Sequence, residues 1–247
     1  MERLTSRKND TVRRLRLLGA DRAVRREAGE YLCAGGKLLR EALRHGAEVT
    51  TVLWGAAPDA EVPGAAQYAV PRELLDYVSP LKNTSDVIFA VKIRHWPPAP
   101  PGRALVLETV QDPGNLGTIL RTANALGLDT VILTGSCADP YGPKAVRAGM
   151  GAVFRQRFYE MARAEARDYL RRHGLRLAGA ALSERAGALQ GVDLRDTAVA
   201  IGSEGQGLSP ELLGLCDSEL IIPMRGDCES LNAAVAAAII IWEITKT

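Results

Sequence analysis

The chain has 247 residues, 47% of them apolar and 24% charged, with a formal net charge of +2. This length suits two unequal domains, and the apolar share supports a packed core, which excludes a disordered or fibrous chain. Its four cysteines show no C-x-x-C spacing, its three histidines are scattered, and the opening MERLTSRKND has no apolar centre, so no metal site, disulfide framework or secretory signal is expected. The longest apolar run, Ala233 to Trp242, is too short to cross a bilayer. A soluble cytoplasmic protein with no membrane partner is the expectation.

The first 44 residues hold twelve Lys or Arg against six acids, a balance that fits either a polyanionic partner or a solvated helical face. A helix is expected over Asp10 to Leu18, with Asp10 available as a cap, and another over Gly36 to His45. Val49 to Trp54 reads as a strand, Pro71 to Val78 as a helix with proline in its first turn, and Val87 to Val91 as a strand. The proline-dense Trp96 to Gly102 favours a stiff, extended connector. It divides the chain into residues 1–95, a small α/β sandwich, residues 96–102, a linker, and a larger segment, 103–247.

In that second segment the elements alternate regularly. Strands are expected at Ala104 to Glu108, Thr130 to Leu133, Leu175 to Leu182, Thr197 to Ile201 and Leu220 to Ile222. Helices are expected over Leu116 to Leu126, Met161 to Arg172 and Leu231 to Thr245, with a helix end and glycine-rich break at Val146 to Gly151. Alternation of this kind implies an α/β fold with a mostly parallel sheet covered on both faces. The last helix, Ala-Ala-Val-Ala-Ala-Ala-Ile-Ile-Ile in its first half, is apolar all round, as expected of a core helix or one packed on a second copy.

Three stretches carry chemistry. Asp112 to Asn124 follows a strand end, where open α/β sheets bind ligands. There Asn115 can cap the helix, and Arg121 lies six residues further on, beside the same mouth. The bland alternative is a turn, a cap and a surface arginine. Gly202-Ser203-Glu204-Gly205-Gln206-Gly207 follows another strand. Its glycines permit close backbone approach, but it is neither the dinucleotide fingerprint nor a P-loop; a flexible turn before Ser209-Pro210 is the alternative. Ile222-Pro223-Met224 precedes Glu229-Ser230-Leu231-Asn232, where Ser230 is placed to cap the final helix and Asn232 is out of place at a second helical position unless its side chain is used.

In this order the three blocks resemble the SpoU (TrmH-type) RNA methyltransferases of the SPOUT class. The shapes are Asn115-x-Gly117-x-x-x-Arg121-x-Ala123, then Gly202-x-Glu204-Gly205-x-Gly207, then Ile222-Pro223-Met224 with Ser230-Leu231-Asn232, and the likeness covers about Ala104 to Thr247. Tyr31 to Leu43 is similar to a block of that family's RNA substrate-binding domain, although many relatives have an acid where this chain has Ala34. The resemblance implies a knotted parallel-sheet C-terminal domain, a deep trefoil, that holds S-adenosylmethionine bent and needs no metal. It implies a homodimer formed through that domain and an RNA partner, ribosomal in preference to transfer RNA. By the same carry-over Gly202, Ile222 and Leu231 contact the cofactor; Glu204, Gly205, Met224 and Asn232 belong to the same set, and Thr134 and Gly135 line the same pocket. Arg121 leads the catalytic set, with Asn115, Glu204, Ser230 and Asn232.

A guanidinium stays protonated, so Arg121 is expected to grip a phosphate and stabilise alkoxide charge rather than act as a base. Glu204 is expected either to accept the proton or to fix Arg121. A nucleotide-dependent α/β enzyme and a non-enzymatic RNA-binding module are the rival readings.

Overall fold

The computed structural model describes residues 1–82, 85–97, 99–225 and 230–246. Two compact units emerge: Met1–His95 with Asp139–Arg155, and Trp96–Ala138 with Gln156–Thr247.

Unit 1 begins with β1 (Glu2–Arg3), α1 (Asp10–Ala20), α2 (Arg22–Ala28), β2 (Glu30–Ala34), α3 (Gly36–Arg44) and β3 (Val49–Trp54). It continues with β4 (Ala66–Ala69), α4 (Arg72–Val78) and β5 (Val87–Lys92). The cap of α1 is Asn9, not Asp10: the Asn9 side chain accepts from the amides of Thr11 and Val12. The sheet order is β1-β4-β3-β5-β2, with β5 antiparallel to both its neighbours and the other pairs parallel. One core joins Leu15 and Leu18 of α1, Leu74 and Leu75 of α4, and Leu32, Leu53 and Ile88 of the sheet. Side chains alternate along a strand, so Tyr31 and Cys33 point away from that core.

The far face of β2 is met by a segment from much later in the chain. Tyr31 lies 5.0 Å from Tyr141 and 6.4 Å from Phe154 between ring centres. Arg25, buried, donates to Asp139 at 2.8 Å and to the Leu18 carbonyl at 2.7 Å. Arg155 pairs with Glu41 at 2.6 Å.

Unit 2 contains β6 (Ala104–Glu108), α5 (Pro113–Ala125) and β7 (Thr130–Thr134). After α6 (Pro143–Gly149), which belongs to unit 1, come β8 (Phe158–Glu160), α7 (Arg163–Arg172), β9 (Arg176–Ala180) and β10 (Gly187–Ala188). Then follow β11 (Thr197–Ile201), α8 (Pro210–Leu213), β12 (Ser218–Ile221) and α9 (Ala233–Thr245). The sheet runs β10-β12-β9-β11-β6-β7-β8, and all its pairs are parallel. Ala104, Val106, Ala198 and Ala200 share a core with Ala166 and Leu170 of α7 and Leu212 of α8. By alternation Leu105, Leu107, Val199 and Ile201, also buried, face the other side; α9 packs there on β11 and on α5. Among residues 96, 97 and 99–102, which form neither helix nor strand, two carbonyls are tied to this unit: Tyr159 donates to that of Pro97 at 2.8 Å and Tyr169 to that of Ala99 at 2.5 Å. Pro98 lies outside the described residues.

Two helix starts differ from the sequence reading. Asp112, not Asn115, caps α5, accepting from the Asn115 amide at 2.7 Å, with Pro113 in the first turn. Asn232, not Ser230, caps α9, accepting from the amides of Ala234 and Val235. Proline preset for a first turn starts α5 three residues before the apolar periodicity does.

Candidate active site

β6 and β11 are parallel neighbours, with Leu107 opposite Ile201. The loops after both strands therefore leave the sheet at the same edge, where the strand order turns back on itself. The stretch after β6 starts α5, and the stretch after β11 is the glycine-rich loop. α9 packs on α5, and a hydrogen bond from its cap Asn232 to Asn115 brings its amino end to the same place.

The glycine loop is closed on itself. Ser203 and Gly207 exchange backbone hydrogen bonds at 3.1 and 3.0 Å, and the Ser203 hydroxyl accepts from the Gln206 amide at 3.3 Å. A Cβ on Gly202 would lie 2.0 Å from the Gly207 carbonyl carbon and 2.3 Å from the Leu208 nitrogen. Only glycine fits there, for reasons of space rather than backbone angle.

The three motifs meet through side-chain amides. The Asn115 amide donates to Glu204 Oε1, and Asn232 Nδ2 donates to Asn115 Oδ1 at 3.1 Å. Asn115 is free to do this because Asp112 has taken the capping role, and Asn232 caps α9 with its oxygen while offering its nitrogen to Asn115.

A cavity of about 630 Å³ opens beside this junction. Of the residues singled out from sequence, Gly202, Glu204, Gly205, Ile222, Met224, Ser230 and Leu231 line it. Asn115 and Asn232 are not in its wall; Asn115 is bonded to Glu204, and Asn232 to Asn115. Arg121, exposed on α5, is not in its wall and makes no hydrogen bond or ion pair with the described residues; of the two roles expected for Glu204, the bond that fixes Arg121 is not formed, Glu204 being bonded to Asn115. Thr134 and Gly135 are not in its wall either; a Cβ on Gly135 would lie 2.5 Å from Thr109 Oγ1. Gly226 and Glu229 of the third motif, and Cys228, lie outside the described residues.

The sequence reading missed Ser183 and Glu219, which line the cavity and are bonded to each other. An acid in an otherwise apolar strand, Glu219-Leu-Ile-Ile-Pro, was the available signal. It also missed a fixed carboxylate at the end of β6. Glu108, 1% exposed, accepts from the Ser209 amide at 2.7 Å, the Ser209 hydroxyl at 2.6 Å and the Arg163 guanidinium. Burial alone pushes its pKa up, but the Ser209 and Arg163 contacts outweigh it and hold the carboxyl below the usual value. Ser209 follows the glycine loop, so Glu108 pins that loop to the sheet and to α7.

Among the described residues the charged side chains of the cavity wall are Glu204 and Glu219, with no cation. A phosphate-bearing ligand would meet two carboxylates there and gain no compensating charge; a cationic ligand suits it. The remaining walls are mainly apolar, as a heteroaromatic ring requires.

These features define a parallel α/β domain with a ligand cavity at the carboxyl edge of its sheet. The chain belongs to the SpoU rRNA methylase family, whose model matches residues 102–242. It is 30% identical to the 23S rRNA (guanosine(2553)-2'-O)-methyltransferase RlmP of Bacillus subtilis, over 99% of each chain. It is also 30% identical to the 23S rRNA (uridine(2479)-2'-O)-methyltransferase of Streptomyces viridochromogenes, over 99% of this chain and 92% of that one. The AdoMet-bound rRNA methyltransferase from Sinorhizobium meliloti superposes with a TM-score of 0.89 at 27% identity, covering 99% of this chain and 97% of that one.

Proposed function

We propose that this chain methylates the 2′-hydroxyl of a ribose in RNA, with S-adenosylmethionine as donor and ribosomal RNA as substrate. The observation that carries this reading is the cavity itself: a glycine-framed pocket, with no cation among the described residues of its wall, joined by Asn115, Glu204 and Asn232 to the start of α5. When bound, the donor supplies a methyl group on a cationic sulfur. Gly202, Gly205, Ile222, Met224 and Leu231 would hold it, and the two carboxylates favour its charge.

The chain's own groups then act on the acceptor. Arg121, permanently charged and pointing to no protein partner among the described residues, takes the neighbouring RNA phosphate and stabilises negative charge growing on the 2′-oxygen. Glu204, exposed and without an ion pair among the described residues, receives the hydroxyl proton. Asn115 and Asn232 fix the Glu204 carboxylate, and Ser230 orients the ribose.

Unit 1, rich in arginine, binds the RNA. Val235, Ile239 and Trp242 expose an apolar stripe along α9 at helical spacing, and we assign it to a homodimer. The trefoil knot and a cytoplasmic location belong to the same proposal; among the described residues no helix is long and apolar enough to cross a membrane.

The test combines ribose-methylation mapping of ribosomal RNA in cells lacking the protein with turnover by the purified Arg121→Ala variant. One methylated ribose should disappear, and turnover should fall by about 100-fold or more with S-adenosylhomocysteine affinity within a few fold of wild type. Near-native transfer by Arg121→Ala removes Arg121 from the mechanism. An unchanged methylation map, with no transfer of labelled methyl to RNA by the wild type, leaves only the non-enzymatic RNA-binding reading.

A further inference from the structure

The cavity's two carboxylates are held differently. Glu204 is bonded to Asn115 at the junction of the three motifs. Glu219 is on β12, paired in register with Gly179 of β9. Ser183, in the loop beyond β9, donates its hydroxyl to Glu219 Oε2. No cation approaches Glu219 among the described residues, and its Oε1 keeps its lone pairs. A half-buried carboxylate with a single hydroxyl donor is costly unless further donors arrive.

We propose that Glu219 and Ser183 form the ribose subsite of the methyl donor, accepting hydrogen bonds from its 2′- and 3′-hydroxyls. This rests on the donor reading above and specifies how that donor is gripped. The free carboxylate oxygen and the serine oxygen make two neighbouring acceptors, which match two neighbouring hydroxyl donors. Carboxylates take ribose hydroxyls in the same manner in other nucleotide sites. The amino-acid tail fits less well: it carries an ammonium and a carboxylate together, and among the described residues this wall has no cation for the second. What Glu219 would gain from one end of the tail it would lose to the other. A phosphorylated ribose is repelled outright. The apolar wall from Ile222, Met224, Leu231 and Ile240 is left for the base.

The subsite is tested by calorimetry on the full chain with three probes: S-adenosylhomocysteine, its 2′-deoxyribose analogue, and 5′-methylthioadenosine, which keeps the ribose but lacks the tail. Wild type should bind the deoxy analogue about tenfold more weakly than S-adenosylhomocysteine, the worth of one charge-assisted hydrogen bond. Glu219→Gln should weaken S-adenosylhomocysteine and 5′-methylthioadenosine by the same factor, about tenfold, and should discriminate little against the deoxy analogue. A loss confined to S-adenosylhomocysteine would move Glu219 to the tail and overturn the assignment. Equal wild-type affinity for the ribose and deoxyribose probes would overturn it without any mutation, whatever the variant's folding. Wild type that binds S-adenosylhomocysteine while Glu219→Gln binds it equally well sinks the subsite alone; wild type that binds none of the probes sinks the donor reading with it.

Discussion

Two corners of the same sheet edge are built in opposite ways. At the end of β6 and β7 the chain is closed. Glu108 is satisfied by Ser209 and Arg163, the Thr109 amide bonds to the Thr134 carbonyl at 3.0 Å, and Thr109 and Gly135 both take left-handed backbone angles. At the end of β11 and β12 it is open, with a cavity walled by a self-closed glycine loop and by side chains that keep bonding capacity. The closed corner is rigid so that the open one can hold a shape: Ser209 belongs to the first and ends the loop that frames the second. Preorganisation of a site by fully satisfied neighbours is the general rule.

The largest break should come from Gly202→Ala on the open side. The added methyl meets the Gly207 carbonyl at 2.0 Å, so the loop must reopen. Overpacking of this kind costs about 2–3 kcal/mol, and S-adenosylhomocysteine affinity should fall by about 100-fold, read by calorimetry beside a thermal melt. Asn115→Ala cuts the bridge between the corners. Turnover should drop by about 10- to 100-fold because Glu204 loses its orientation, while the melting temperature moves little; unchanged single-turnover rates would show that the amide bridge is ornamental.

Glu108→Gln acts on the closed side and should cost about 1–3 kcal/mol of stability at neutral pH, measured by urea unfolding. Its pH signature has a definite sign. The folded carboxyl sits below the ordinary value of 4.5, so its contribution is complete above that value and is lost as pH falls through the lower folded value. The variant's stability should therefore decline less steeply on acidification below about pH 4.5; parallel curves for both proteins would mean that Glu108 gains nothing from its partners. Thr134→Val should have the smallest effect. Thr134 Oγ1 is buried and bonded to no described residue, so an isosteric methyl should leave stability unchanged or raise it by up to about 1 kcal/mol. A large loss of S-adenosylhomocysteine affinity in that variant would return Thr134 to the pocket.

The open corner was the more legible in sequence. β6 and β11 end where the apolar runs end, since a central parallel strand buried on both faces reads as an unbroken apolar word. The glycine loop and the Asn115, Glu204 and Asn232 set stand out as residue types with little packing use. The closed corner was invisible: Glu108 looks like the polar end of a strand, and its partners are 55 and 101 residues away. A separation of 36 residues hid the Ser183–Glu219 pair in the same way. Local signals misled at the caps, where Asp112 beside Pro113, and Asn232 beyond Ser230, took roles assigned to their neighbours. β2 was missed because Glu30-Tyr-Leu-Cys-Ala has no clean alternation; all but its last residue are buried, one side of it under residues from 139–155.

That late segment has a consequence for anyone cutting the gene. A fragment ending at His95 would carry the whole first sheet yet expose Tyr31, leave Glu41 without Arg155 and strand Arg25 without Asp139. Arg25 is 5% exposed in the intact chain, and a buried guanidinium deprived of its carboxylate is a severe liability. Chimaeras and truncations of this protein should transplant both stretches together, because the folding unit is not continuous along the polypeptide.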